Sequence, residues 1–178
     1  MTAAAEGRYV APARWLHWLT AGCILVILTT GIWFAYFEPP DALKFRLFNI
    51  HESFGVVVFV LALARLWVRR RNPPPPLPQG MPGWQKGAAW LNHAALYVVM
   101  LVQPVTGFLA SNAWGFPLRW FGLVPIPSPI GRSEAWAPVL GDIHFVGAVA
   151  MVVLLAIHVG AVIQHVFIRR DGLLARMA

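Results

Sequence analysis

The sequence predicts an all-α integral membrane protein, a four-helix bundle with both ends of the chain on the cytoplasmic side. Three observations carry this. Hydrophobic residues make up 58% of the 178-residue chain and charged residues only 12%, whereas average soluble chains carry roughly 25% charged residues. So little charge cannot clothe a water-facing surface of this size, and lipid must be the solvent for much of it. Four stretches are nearly free of charge and reach the length of about 20 residues needed to cross a ~30 Å hydrocarbon core. The basic residues, finally, are divided unequally between the segments that join those stretches.

The first stretch, Trp15 to Phe37, carries no charge apart from the one His17 can take. It outruns the apolar region of a signal peptide and no small-residue cleavage motif closes it, so it is expected to remain as a span. The second, from about Asn49 to Val68, includes Arg65, whose long stem allows its charge to snorkel toward the interface. The third runs from Gly87 and carries no charge apart from the one His93 can take. Ser111, Asn112, Gly115 and Pro117 close it near residue 111, and Pro104 is expected to kink it. The fourth, Ile143 to Ile168, is uncharged except for its histidines. The expected spans are thus about 15–37, 49–68, 88–111 and 141–168, within one domain covering 1–178.

The connecting segments differ in kind. Asn72 to Pro82 contains Pro73, Pro74, Pro75 and Pro76 and is expected to be a stiff, extended connector. Asn112 to Leu140 is long and rich in Trp, Phe and Pro. It is expected either to cap the outer helix ends or to form an aromatic belt, with Trp114, Trp120 and Trp136 at interfacial depth. Arg8, Arg14, Arg65, Arg69, Arg70, Arg71, Lys86, Arg169, Arg170 and Arg176 share one side with both termini. Lys44, Arg46, Arg119 and Arg132 fall on the other, with the acids Glu38, Asp41, Glu52, Glu134 and Asp142. The excess of Lys and Arg places the termini in the cytoplasm. The net charge of +7 is thereby accounted for by topology, and nucleic acid is not an expected partner.

All six histidines lie in or at the ends of spans, where an ionisable group is costly enough to imply function. His51 and His144 open helices that start on the outer side, so they can face each other at one depth. His17 and His93 lie on the inner side. His158 follows His144 by 14 residues, ~21 Å of rise and nearly four turns, so the two point to the same side of one helix at opposite depths. This pattern fits two stacked b haems, each held between paired imidazoles, a ligation that leaves no open iron position and favours electron transfer. Lone Cys23 excludes both a disulfide framework and the C-x-x-C-H attachment of c-type haem. Small residues at Gly22, Gly31, Gly55, Gly107, Gly147 and Gly160 are expected to make room for a macrocycle, and Arg65 is placed to meet a haem propionate. Depth alone pairs His51 with His144. On the inner side, His17 can meet His158 or His165, and His93 is a third candidate.

The run Arg14-Trp15-Leu16-His17-Trp18-Leu19, His51 after a short outer loop, and the 14-residue spacing from His144 to His158 resemble the bacterial cytochrome b561 family. The likeness extends from Tyr9 to Asp171-Gly172 and is greatest to small quinone-reactive diheme members that oxidise superoxide. It implies that His17 pairs with His158 on the inner haem and His51 with His144 on the outer one. It leaves His93 and His165 near the cytoplasmic surface, where the family binds ubiquinone, with Asn92 and Arg14 beside them as cofactor-binding residues. Quinone reduction takes up protons as well as electrons, which gives such histidines a use.

Two functions follow from the resemblance. In the first, superoxide is oxidised at the periplasmic face of a bacterial inner membrane and electrons cross to ubiquinone. The cations available to steer the anion are Lys44, Arg46, Arg119 and Arg132, and only their local placement can help, because five acids share that face. In the second, the chain is a membrane subunit that takes electrons from a periplasmic dehydrogenase or soluble redox partner. A divalent-metal transporter is disfavoured, since no Asp or Glu lies mid-span to complete a site.

Overall fold

The computed structural model describes residues 7–37, 39–77 and 80–178; Glu38, one of the outer acids, lies outside them. Four long helices form: α1 (Ala11–Tyr36), α2 (Asp41–Arg71), α3 (Gly83–Ala113) and α4 (Trp136–Ile163). A π-helical turn over Gln164–Arg169 continues α4. All four are long and apolar enough to cross a membrane. Proline marks each start: Pro12 and Pro138 stand in first turns, and Pro40 and Pro82 are the residues before α2 and α3. A first turn needs no bonded N–H and proline's fixed φ suits it.

These starts fall earlier than the charge pattern suggests, because a helix need not stop where the hydrocarbon does. α2 has 31 residues, about 46 Å of rise, so its ends must stand out of a ~30 Å core. Lys44 and Arg46 therefore sit on the first turns of α2 rather than in a loop, and His51 and His144 stand well inside their helices. Asp41 in the first turn of α2 and Arg69, Arg70 and Arg71 in its last each complement the helix dipole. α3 passes through Pro104 and ends at Ala113.

Backbone packing runs α1 on α2, α2 on α3 and α3 on α4, and is sparse between α4 and either α1 or α2. The core is a mid-depth layer of Cys23, Ile24, Val58, Ala62, Leu96, Met100 and Met151. These residues lie at depths between those of the inner histidines, His17, His93 and His158, and the outer ones, His51 and His144. The opposite faces present Leu25, Val60, Val98 and Val153 outward, as lipid requires.

At the outer end a two-stranded hairpin, β1 (Arg119–Trp120) with β2 (Val124–Pro125), is tied to α2. Asn49 Nδ2 donates to the Arg119 carbonyl at 2.6 Å, and the Ser53 hydroxyl accepts the Phe121 N–H at 2.7 Å. Phe121 turns the hairpin with φ of 47°, a left-handed conformation costing a non-glycine residue about 1–2 kcal/mol. Its ring, 5.5 Å from that of Phe54, and the Ser53 bond hold it there. The long outer segment is thus a cap anchored on the bundle.

At the inner end the tail folds back over the helices. Arg176 donates to the Pro76 carbonyl at 2.5 Å, Tyr9 N–H to the Arg176 carbonyl at 3.0 Å, and Trp18 Nε1 to the Met177 carbonyl at 2.9 Å. The start of α1, the proline-rich connector and the tail, which the charge count assigns to one side, meet at one end of the bundle.

Candidate redox site: two histidine layers

The outer layer is built from two matching halves. His51 of α2 donates from Nδ1 to the carbonyl of Ile27 on α1 at 2.9 Å, with Thr30 Oγ1 3.3 Å away. His144 of α4 donates from Nδ1 to the carbonyl of Gln103 on α3 at 3.1 Å, with Thr106 Oγ1 again at 3.3 Å. Gly31 and Gly107 give the rings room: a Cβ at Gly31 would lie 3.0 Å from His51 Cε1, and one at Gly107 2.7 Å from His144 Cε1. The same spacing therefore recurs, Ile27–Thr30–Gly31 and Gln103–Thr106–Gly107, each forming a seat for the histidine of a neighbouring helix. A Nδ1–H fixed on a carbonyl leaves the Nε2 lone pair free, the arrangement by which second-shell groups orient a ligating histidine. The two ring centroids are 6.2 Å apart.

The inner layer brings His17 and His158 to a centroid distance of 6.1 Å. His93 approaches His158 more closely, at 5.3 Å and edge-on, and its Nδ1 donates to the Ala89 carbonyl of its own helix at 2.6 Å. Arg65 donates to His17 Nδ1 at 3.2 Å and lies over the Tyr97 ring, 5.4 Å from its centroid. Guanidinium has no acceptor, so in this arrangement the proton of a neutral His17 sits on Nε2. The outer pair thus presents both Nε2 lone pairs, whereas the Arg65 contact turns the lone pair of His17 Nδ1 to the guanidinium.

The residues present fit a haem in both layers. An iron bound by two imidazoles at about 2 Å each, with ring centres roughly 1.1 Å beyond the nitrogens, sets the centroids ~6 Å apart. Both His51–His144 and His17–His158 meet that distance, and His93–His158 falls short of it. The sparse packing of α4 on α1 and α2 leaves these pairs reaching across an interval that backbone does not close. Gly22, Gly55 and Gly160 face open space, with nothing within 4 Å of an added Cβ. Gly31 and Gly107 instead seat histidine rings, and Gly147 meets Gln103.

The other candidate residues are distributed as follows. His165 is buried, 6% exposed, and bonds to Asp171. Asn92 is buried with an unpartnered Oδ1, and Arg14 keeps an unpartnered Nε while its Nη1 donates to the Ala178 carbonyl at 2.5 Å. Arg119 donates to the Gly122 and Leu123 carbonyls inside the hairpin turn, and Arg132 pairs with Glu134 at 3.6 Å. Lys44 and Arg46 are exposed on α2. Thr30, Thr106, Gln103 and Asp171 were not legible as site residues. A trace of the first two existed in the repeated Thr-Gly dipeptides, 30–31 and 106–107, each on a helix that lacks an outer histidine.

Comparison with known proteins agrees with this architecture. Residues 8–178 match the family model described as prokaryotic cytochrome b561. The chain is 31% identical over 171 residues to cytochrome b561 homolog 2 of Escherichia coli K12, covering 96% of this chain and 90% of that one. It is 28% identical to cytochrome b561 homolog 1 of the same organism, covering 96% of each. It is 25% identical to a protein of Yersinia pestis named probable superoxide oxidase CybB, over 91% of this chain and 90% of that one. With four spanning helices and a match over nearly its whole length, the chain is a member of the prokaryotic cytochrome b561 family, membrane redox proteins that bind b-type haem.

Proposed function

We propose that the chain carries electrons across a bacterial inner membrane, oxidising superoxide at the periplasmic face and reducing ubiquinone near the cytoplasmic face. The observation that carries this reading is the presence of two histidine pairs, each at a ligating separation, on opposite sides of the mid-depth core. His51 and His144 would hold the outer haem, and His17 and His158 the inner one. A bis-histidine b haem, when bound, takes up and releases one electron at a time without offering a coordination position to oxygen.

The chain's own groups do the rest. Ile27, Thr30, Gln103 and Thr106 keep the outer imidazoles oriented. Lys44, Arg46 and Arg119 supply positive charge at the outer mouth, while Glu134 offsets part of the charge of Arg132. Two superoxide anions each lose one electron and leave as O₂; one ubiquinone gains the two electrons and two cytoplasmic protons. In this reading His165, with Asn92 and His93 on the facing helix, serves the uptake of those protons. The name borne by the Yersinia relative supports the superoxide arm.

Purified protein under anaerobic conditions tests this. A dithionite-reduced-minus-oxidised spectrum counts the haems, a superoxide pulse follows the α-band, and ubiquinone is added last. Two b haems per chain, reduced rapidly by superoxide and reoxidised by ubiquinone, are expected. Haems that superoxide leaves oxidised, yet quinol reduces, would replace this reading with that of a membrane subunit awaiting a periplasmic redox partner.

A further inference from the structure

His165 stands apart from both layers. It follows His158 by seven residues, about 10 Å nearer the inner end. The backbone here leaves the α-helical repeat for the π-helical turn Gln164–Arg169, a distortion found often at functional positions. The chain then reverses at once: Arg170 and Gly172 adopt left-handed conformations, with φ of 52° and 72°. Between them Asp171 turns back and accepts the Nδ1–H of His165 at 2.6 Å. The second carboxylate oxygen accepts the Leu173 N–H at 3.2 Å.

Both oxygens of Asp171 are thereby fixed, and Nδ1 of His165 keeps its proton. Nε2 is the nitrogen left for another partner. The pair also spans from wet to dry, with side-chain exposure of 21% at Asp171 and 7% at His165. Partial desolvation works against ionisation of Asp171, but the bonds from His165 and Leu173 and the charge of Arg169 outweigh it, so the carboxyl is held below its ordinary range. Among the described residues, Asp171 is the only charged group bonded to His165. Arg14 Nε, Gln85 Oε1 and Asn92 Oδ1, on the inner turns of α1 and α3, are buried without partners.

We propose that the His165–Asp171 pair delivers the protons of quinone reduction, His165 Nε2 donating to a quinone carbonyl oxygen and Asp171 acting as the positioning residue that holds Nδ1–H. This rests on the quinone-reducing reading above. Each quinone gains two electrons, drawn one at a time from the outer donor, and two protons. Each proton leaves Nε2 of a protonated His165 as an O–H bond forms, and water restores it at the same nitrogen. Asp171 stabilises the imidazolium and does not itself take the proton.

The test uses the full chain loaded with its haems and reduced anaerobically with stoichiometric dithionite. It is mixed in stopped flow with a water-soluble ubiquinone and, separately, with ferricyanide, which takes an electron and no proton. Asp171→Asn is expected to slow oxidation by quinone by about tenfold or more and to alter its pH profile. Oxidation by ferricyanide and the haem spectrum should stay as in the wild type, and Asp171→Glu should restore most of the rate. Equal slowing with both oxidants, or quinone oxidation at the wild-type rate with an unchanged pH profile, would overturn the proposal. Wild-type protein that ferricyanide oxidises and quinone does not would overturn this proposal and the quinone-reducing reading together.

Discussion

Gly107 and His144 show how narrowly single residues define the outer layer. A Cβ at Gly107 would lie 2.7 Å from His144 Cε1, so the ring must leave the seat made by the Gln103 carbonyl and Thr106. Gly107→Ala is expected to lose most of the outer haem, and His144→Ala to leave one haem per chain, both measured as haem per protein. A His144→Ala variant that retained two would refute the ligand assignment. Gly31→Ala, where the corresponding distance is 3.0 Å, should be milder. The unequal presetting of the layers has a consequence too. Second-shell orientation is worth ~10–100-fold in metal affinity, so a variant with only the outer pair (His158→Ala) should bind added haem more tightly than one with only the inner pair (His144→Ala). Haem titration of the two apoproteins decides this, and equal affinities would contradict it.

Among elements, the outer hairpin and the inner tail are each held by a few bonds that can be removed singly. Ser53, fully buried, accepts the Phe121 N–H and offsets the cost of that residue's left-handed backbone. Ser53→Ala leaves a donor unmatched, and a loss of about 1–3 kcal/mol is expected. Hydrogen exchange at the Phe121 amide reads it, and undiminished protection would show the cap is held by other contacts. The tail turn depends on pH through Asp171. Because the folded state lowers the pKa of this carboxyl, its stabilisation is complete above the ordinary carboxylate range of about 4. It is lost as pH falls through the lower, folded value. Protection of the Leu173 amide should therefore hold at neutral pH and disappear in acid below that range.

For the whole molecule, four helices, one capped end and one strapped end make a bundle with two distinct faces. The unequal division of Lys and Arg predicts which face is which. A cysteine placed at Ser128 in the cap should react with an impermeant thiol reagent from the periplasm, and one placed at Leu174 only after the inner membrane is opened. Reversed labelling would invert the direction proposed for electron transfer. Native Cys23, buried at mid-depth, should not interfere.

The sequence by itself determined the bundle, because spanning length and absence of charge are properties of consecutive residues. It also determined the outer histidine pair and the 14-residue spacing along α4, since depth in a membrane is a matter of counting. Helix ends were less legible: Lys44 and Arg46 looked like loop charges, and the prolines at 40 and 82 marked the true starts. Only tertiary structure decided what surrounds each histidine. The Ile27 and Gln103 carbonyls, the Arg65 contact with His17 and the return of Asp171 to His165 join groups by rotation about helix axes and by a reversal of the chain. Neither leaves a periodic trace in sequence. His158 has two histidine neighbours, with ring centroids 6.1 Å away at His17 and 5.3 Å away at His93, and packing, not spacing, sets a difference of that size.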